Sequence, residues 1–209
     1  GRARVALEIV RERFETKDRM DASPIDRVER QLVEVDAILS DLLAVTRAGL
    51  TDLRTEKVPY LAWLRLRIAA ERAGEVELVV EDDTIETVQV AIDAPLLGRA
   101  VHNLLANARA HGHPDKEPLV VVVSSDGARL RTEVRDRGPG IPEELLPRIF
   151  DPFVRGDVAR IRTWPGGAAS GGTGLGLALV RRIVEAHGGF VFAQNGKIGA
   201  EVGFDLVLG

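Results

Sequence analysis

Three groups of residues have types and spacings that could do chemistry. The first is Asp136-Arg-Gly138-Pro-Gly140-Ile-Pro142, which directly follows an apolar stretch of alternating pattern. Glycines let a backbone pass close beside a ligand, and the aspartate offers a carboxylate acceptor at the end of a strand. The second is Gly171-Gly172-Thr173-Gly174-Leu175-Gly176-Leu177, directly ahead of a helical series. A helix N-terminus presents free N–H groups and the positive end of the dipole, a combination that binds an anion such as phosphate. This segment is not a dinucleotide fingerprint, because it follows a long loop and lacks the G-x-G-x-x-G order, and it is not a P-loop, because no Gly-Lys-Ser/Thr follows. The third group is His102-Asn103-Leu-Leu-Ala-Asn107-Ala-Arg109-Ala-His111. Asn103 and Asn107 lie four apart on one helix face, and His111 continues it. Asparagine is a poor helix former, so two on one stripe are not explained by stability, and an amide oxygen is a suitable hard ligand for magnesium.

The elements that must position these residues are legible as an alternation of strand and helix signals. Tyr60–Arg72 reads as a helix closed by Gly74, and Val76–Val80 and Thr87–Ile92 read as strands. Asp93-Ala-Pro95 opens a helix running to about His111. Leu119–Ser124 and Leu130–Val134 read as strands joined around Asp126-Gly127, a hairpin signal. Pro142–Pro147 reads as a short helix and Thr173–His187 as a longer one, with His187 as its C-terminal cap. Phe190–Ala193 and Val202–Leu208 read as closing strands. Strands and helices without a regular βαβ alternation predict an α+β fold, a two-layer α/β sandwich over residues 58–209.

Ahead of a polar linker at 51–57, residues 1–50 have helical periodicity. Ala3, Leu7, Val10 and Phe14 form one series, and Ile25, Val28, Leu32, Val35, Leu39 and Leu42 form a second, a strict three-four alternation after the break at Asp21–Pro24. Ile38, Leu43 and Val45 widen the apolar face beyond what a two-helix hairpin can bury alone. An antiparallel hairpin that dimerises into a four-helix bundle is therefore expected, giving a homodimer. The net charge of −4 and the lack of a long basic run leave no footprint for nucleic acid. The absence of cysteine excludes disulfides, zinc-thiolate sites and thiol catalysis. The longest apolar runs, Val58–Leu64 and Pro118–Val123, are too short to span a bilayer, and no signal peptide is expected. The chain starts inside a helical pattern and is expected to be a soluble piece of something longer.

The order Asn-helix, Asp-x-Gly-x-Gly, Phe150-Asp-Pro-Phe153, then Gly-Thr-Gly-Leu-Gly-Leu resembles the ATP-binding domain of sensor histidine kinases, in the wider group that includes gyrase, Hsp90 and MutL. The stretch DAILSDLLAVTRAG is similar to the second helix of that family's dimerisation and phosphotransfer hairpin, so the likeness covers nearly the whole chain. The resemblance implies ATP and Mg2+ as cofactors. It places Asn107 as the magnesium ligand, Asn103 as its catalytic companion one turn earlier, with His111 beside the nucleotide, and Asp136 as the reader of adenine. It implies that Gly138 and Gly140 pass beside the base, and that Gly172, Thr173, Gly174, Leu175 and Gly176 cradle the phosphates. Phe150 and Phe153 match the phenylalanine box, where core anchoring of a mobile lid at 154–172 is the expected work. Arg155 is a candidate γ-phosphate contact.

The intact protein is then expected to move the γ-phosphoryl of Mg-ATP to a histidine and on to an aspartate of a response-regulator receiver domain. It is expected to be the cytoplasmic portion of a protein of the bacterial inner membrane, anchored through segments absent here. Two departures stand out. The family's basic residue three after the magnesium asparagine is Ala110 here, with Arg109 one residue off, about 100° around a helix. No histidine precedes His102, so the acceptor is expected upstream of Gly1 and the chain is expected not to autophosphorylate. A non-catalytic dimeric ATP-binding scaffold, a serine-directed kinase or another ATPase of the same group remain open alternatives.

Overall fold

The computed structural model describes residues 53–70, 76–112, 118–154 and 174–208. The 1–50 hairpin, most of the 154–172 lid, and the site residues Arg155, Gly172 and Thr173 lie outside the described residues.

Strand β1 (Glu56–Pro59) pairs antiparallel with β3 (Gln89–Ile92), from Glu56↔Ile92 to Pro59↔Gln89. Residues 56 and 57, read from sequence as linker, therefore belong to the domain. Their exposed side chains gave no burial pattern, and only the pairing partner reveals them as strand. Helix α1 (Tyr60–Ala69) follows at once, with Pro59 in the N-cap position and the Tyr60 amide donating to the Val88 carbonyl at 3.1 Å. It ends at Ala69, short of the expected Arg72. Tyr60, Leu61 and Leu64 are its buried residues.

Strand β2 (Val76–Val80) comes next, and then a 3-10 turn over Asp83–Thr87 capped by Asp82, whose Oδ1 accepts from the Thr84 amide at 2.8 Å. That turn is why β3 starts at Gln89 and not at Thr87: the Val88 amide is spent on the Ile85 carbonyl. Helix α2 (Ala94–Gly112) opens as its sequence predicts, with Asp93 Oδ1 accepting from the Leu96 amide at 3.2 Å. Its buried stripe of Leu97, Val101, Leu104, Leu105 and Ala108 follows the helical period.

Strands β4 (Leu119–Ser125) and β5 (Arg129–Arg135) form the expected hairpin, with Asp126 Oδ1 taking the Ala128 and Arg129 amides and Gly127 at φ +85°. The predicted 142–147 helix is reduced to a turn and one 3-10 turn at Leu146–Arg148. Two prolines, Pro142 and Pro147, remove amides that a longer helix would need. Helix α3 (Gly176–Ala186) begins three residues later than expected and ends at His187. Strands β6 (Phe190–Asn195) and β7 (Ala200–Val207) close the domain.

The larger sheet has the order β2-β4-β5-β7-β6, with β2 parallel to β4 and the other neighbours antiparallel. Its inward residues, among them Leu119, Val121, Val123, Leu130, Val134, Val202, Phe204 and Leu206, pack against α1, α2 and α3 in one apolar core. The result is the α+β two-layer arrangement the sequence predicts, built almost wholly from aliphatic side chains. The buried Tyr60 hydroxyl bonds Thr132 Oγ1 at 2.7 Å, and Arg131 grips Asp205 on the other face at 2.7 and 2.9 Å.

Candidate functional site

Asp136 stands one residue past the end of β5 and is 9% exposed. Its amide donates to the Ala200 carbonyl at 3.0 Å, which extends the β5–β7 pairing by one residue. Its Oδ1 accepts two backbone amides, Gly138 and Ala200, each at 2.9 Å. Two N–H donors on one oxygen hold the carboxylate in a single orientation. Oδ2 carries no hydrogen bond among the described residues and is the oxygen left to meet a ligand. Such a fixed acceptor suits an exocyclic amine, since a ligand without that donor would leave the carboxylate unmatched.

The space around this carboxylate is set by three glycines. A Cβ on Gly112, the last residue of α2, would fall inside 3.0 Å of the Asp136 carboxyl carbon and both its oxygens. A Cβ on Gly138 would come 2.5 Å from Gly112 Cα and 2.9 Å from the His111 carbonyl. A Cβ on Gly199 would overlap the Asp136 carbonyl. The Arg137 amide donates to the Gly112 carbonyl at 3.0 Å, so the end of the asparagine helix and the Asp-x-Gly-x-Gly loop are locked side by side. Gly138 was anticipated from the motif. Gly112 and Gly199 were not, because each is needed only for a contact with a residue distant in sequence.

Gly140 adopts φ +79°, and a Cβ there would sit 2.8 Å from Asn195 Oδ1. Asn195, at the end of β6, grips the next residue with both halves of its amide. Oδ1 accepts from the Ile141 amide at 2.7 Å, and Nδ2 donates to the Ile141 carbonyl at 2.8 Å. Sequence reading missed this residue; its Asn-Gly dipeptide looks like an ordinary turn signal.

The described end of the second glycine segment lies beside the asparagine helix. A Cβ on Gly176, the first residue of α3, would lie 3.6 Å from Asn103 Oδ1. The α3 N-terminus carries no side-chain cap, since Leu175 stands at the N-cap position. Its first-turn amides are therefore suited to an outside acceptor. Asn103 Nδ2 is buried with no hydrogen-bond partner, an orphaned donor of the sort a bound ligand accounts for. Asn107 lies one turn further along α2 and is half-buried, while His111 is exposed near the Asp136 loop. Among the described residues there is no cluster of three or more His, Cys, Asp or Glu side chains that could hold a metal.

The two phenylalanines separate. Phe150 is half-buried against the core, as an anchor should be. Phe153 is 73% exposed, which corrects its expected place in the core. The reason is local: Phe153 has φ +64°, its amide donates to the Gly174 carbonyl at 2.9 Å, and this turn throws the ring outward. Gly174, at φ +70°, has no room for a Cβ, which would lie 2.9 Å from Phe153 Cα. Arg109 is half-buried and Ala110 exposed in the last turn of α2.

Residues 92–208 match the family described as histidine kinase-, DNA gyrase B-, and HSP90-like ATPases, and the chain belongs to that family. It is 34% identical over 197 residues to the sensor-like histidine kinase SenX3 of Mycobacterium tuberculosis, covering 94% of this chain and 44% of that one. The chain thus spans under half the length of the curated relatives it first matches. Full-length ShkA in complex with AMPPNP superposes with a TM-score of 0.65 at 25% identity, over 92% of this chain and 40% of that one. The histidine kinase ThkA, in complex with the response regulator protein TrrA, has the same fold, with a TM-score of 0.64 at 21% identity over 99% of this chain and 60% of that one. No helix among the described residues is long and apolar enough to cross a membrane.

Proposed function

We propose that the chain is the ATP-binding catalytic part of a sensor histidine kinase, working in a longer protein that passes the γ-phosphoryl of ATP to a histidine and then to a response-regulator aspartate. The observation that carries this reading is the Asp136 carboxylate, locked by two backbone amides through one oxygen, with the other oxygen left to a ligand. In this reading Asp136 Oδ2 accepts the adenine amine, and Gly138 and Gly140 let the backbone run beside the base. The uncapped amides at the start of α3, with Gly172, Thr173, Gly174, Leu175 and Gly176, take the phosphates. Asn107 holds magnesium through its amide oxygen, and Asn103 turns its unpaired Nδ2 to an anionic oxygen beside it. Bound magnesium supplies neutralisation of phosphate charge as the phosphoryl group leaves. The chain's own residues bind, orient and exclude water; Arg155 would add a positive charge at the γ-phosphate.

The same reading assigns residues 1–50 to a dimerisation hairpin, 51–55 to its connection and 56–209, from β1 onward, to the catalytic domain with a lid at 154–172. The partners are then a second copy through the hairpin and a receiver domain. The protein would lie on the cytoplasmic side of the inner membrane, attached by segments outside this chain. No histidine precedes His102, so this chain incubated with Mg-ATP should bind nucleotide without labelling the hairpin.

Calorimetric titration of Mg-ATP into the chain and into Asp136→Asn tests the reading. Binding by the parent, weakened at least tenfold by the substitution, is expected. A parent chain that binds no Mg-ATP, or an Asp136→Asn variant that binds as well as the parent, overturns it.

A further inference from the structure

The turn between β6 and β7, residues 195–200, contains none of the motif residues, yet it holds both ends of the Asp-x-Gly-x-Gly loop. At the near end, the Ala200 amide and carbonyl bind Asp136, through Oδ1 at 2.9 Å and the amide at 3.0 Å. At the far end, Asn195 clamps Ile141 through both polar atoms of its amide, at 2.7 and 2.8 Å. The turn itself is tight: the Gly196 amide donates to the Gly199 carbonyl at 3.1 Å, Gly199 has φ +70°, and Asn195 pairs with Ala200 across it. The clamp reaches 54 residues along the chain. A side-chain amide that satisfies the N–H and the C=O of one distant residue mimics a strand partner where the loop has none. It also fits the left-handed Gly140, whose missing Cβ is the room Asn195 Oδ1 occupies.

We infer that Asn195 is a positioning residue for nucleotide selection: by pinning Ile141 it fixes the Gly138–Gly140 backbone, and so the orientation of the Asp136 carboxylate that reads the base. This rests on the nucleotide reading given above and deepens it. Asn195 touches no reacting atom and acts only through the loop.

The distinguishing measurement is selectivity, not stability. Dissociation constants are determined, with magnesium chloride present, for ATP and for purine riboside triphosphate, which lacks the exocyclic amine. They are measured for the full chain and for Asn195→Ala and Asn195→Asp, at a temperature well below each melting point. In the parent, ATP binds far more tightly than the analogue, because the analogue leaves Asp136 Oδ2 unmatched. In Asn195→Ala, ATP affinity falls about tenfold, the equivalent of one ordinary net hydrogen bond, and the analogue's falls much less, so selectivity shrinks. Asn195→Asp keeps the shape and the acceptor for the Ile141 amide but sets a carboxylate oxygen against the Ile141 carbonyl. It should lose selectivity at least as far, and it reports even where the alanine variant fails to fold. A lowered melting point with unchanged selectivity in the variants, or an aspartate variant that behaves as the parent, assigns Asn195 to bulk stability and overturns the positioning role. A parent chain that binds no Mg-ATP overturns the nucleotide reading, and the role of Asn195 with it.

Discussion

Gly112→Ala sets local preference against tertiary contact. Gly112 is the last residue of α2, and glycine in a helix is about 1 kcal/mol worse than alanine, so propensity alone predicts a gain. The contacts predict the opposite. The new methyl would lie inside 3.0 Å of the Asp136 carboxyl carbon and both oxygens, where ordinary contact requires 3.4–4 Å. The carboxylate must retreat by roughly 1 Å to restore normal packing. Its two bonds at 2.9 Å to the Gly138 and Ala200 amides then stretch beyond useful length. Each bond to a charged oxygen is worth about 1.5–3 kcal/mol, and the displaced group regains some water, so the low end applies. The loss is then about 3 kcal/mol. Set against the helix gain, net destabilisation is about 2 kcal/mol, or a fall of about 4–8 °C in melting temperature for a chain of this size. Oδ2 moves with the rest of the carboxyl, so ATP affinity should drop by about tenfold or more. Thermal melts and calorimetric titration read the two effects separately. A Gly112→Ala chain that melts at or above the parent temperature and binds Mg-ATP equally well would refute the placement of this carboxylate against the end of α2.

Two further outcomes follow from buried polar groups. Tyr60 is the single tyrosine of the chain, and burial pushes its hydroxyl well above the ordinary 10.0, with the bond to Thr132 offsetting part of the rise. A folded value above the unfolded one means the contribution is complete below about pH 10 and is lost as pH rises past it, so tyrosinate absorbance should stay silent near pH 10 and appear only with alkaline unfolding; titration near pH 10 in the folded chain would contradict this. On the other sheet face, Arg131 makes a two-bond grip on Asp205, whose side chain is 9% exposed while that of Arg131 is 43% exposed. Arg131→Leu strands a buried carboxylate and should cost about 2–3 kcal/mol by denaturant titration, largely recovered when Asp205→Asn is added; a loss below about 0.5 kcal/mol would show the pair to be solvent-screened.

How much of this was legible in sequence depends on the range of the forces involved. The α2 start was readable because Asp93 and Pro95 act on their own first turn. The β4–β5 turn was readable because Asp126 bonds amides two and three residues ahead. Strand β1 was not, since Glu56 and Lys57 are exposed and become strand only through pairing with Ile92 and Ala91, some 35 residues on. The start of α3 was placed three residues early, at Thr173, whereas Gly174 takes φ +70° and turns the chain before the helix begins. Phe153 was placed in the core by its residue type, and its left-handed backbone puts it outside.

The same distinction divides the site. Asp136, Gly138, Gly140, Gly174 and Gly176 could be found because each belongs to a short segment whose chemistry is local: a carboxylate at a strand end, or glycine before a helix N-terminus. Gly112, Gly199 and Asn195 could not, although each touches that same loop. Their demands come from across the fold, 24, 63 and 54 residues from the partner that sets them, counted Gly112 to Asp136, Asp136 to Gly199 and Ile141 to Asn195. A ligand-reading group needs one oxygen immobilised and the other left open, and residues near it in sequence can supply only part of that restraint. Gly138 provides one of the two amides on Oδ1; Ala200, held in place by a tight turn on a different hairpin, provides the other. On the proposed reading the motif marks where the ligand would meet the chain, while much of the rigidity that would make the meeting selective comes from residues that no motif contains.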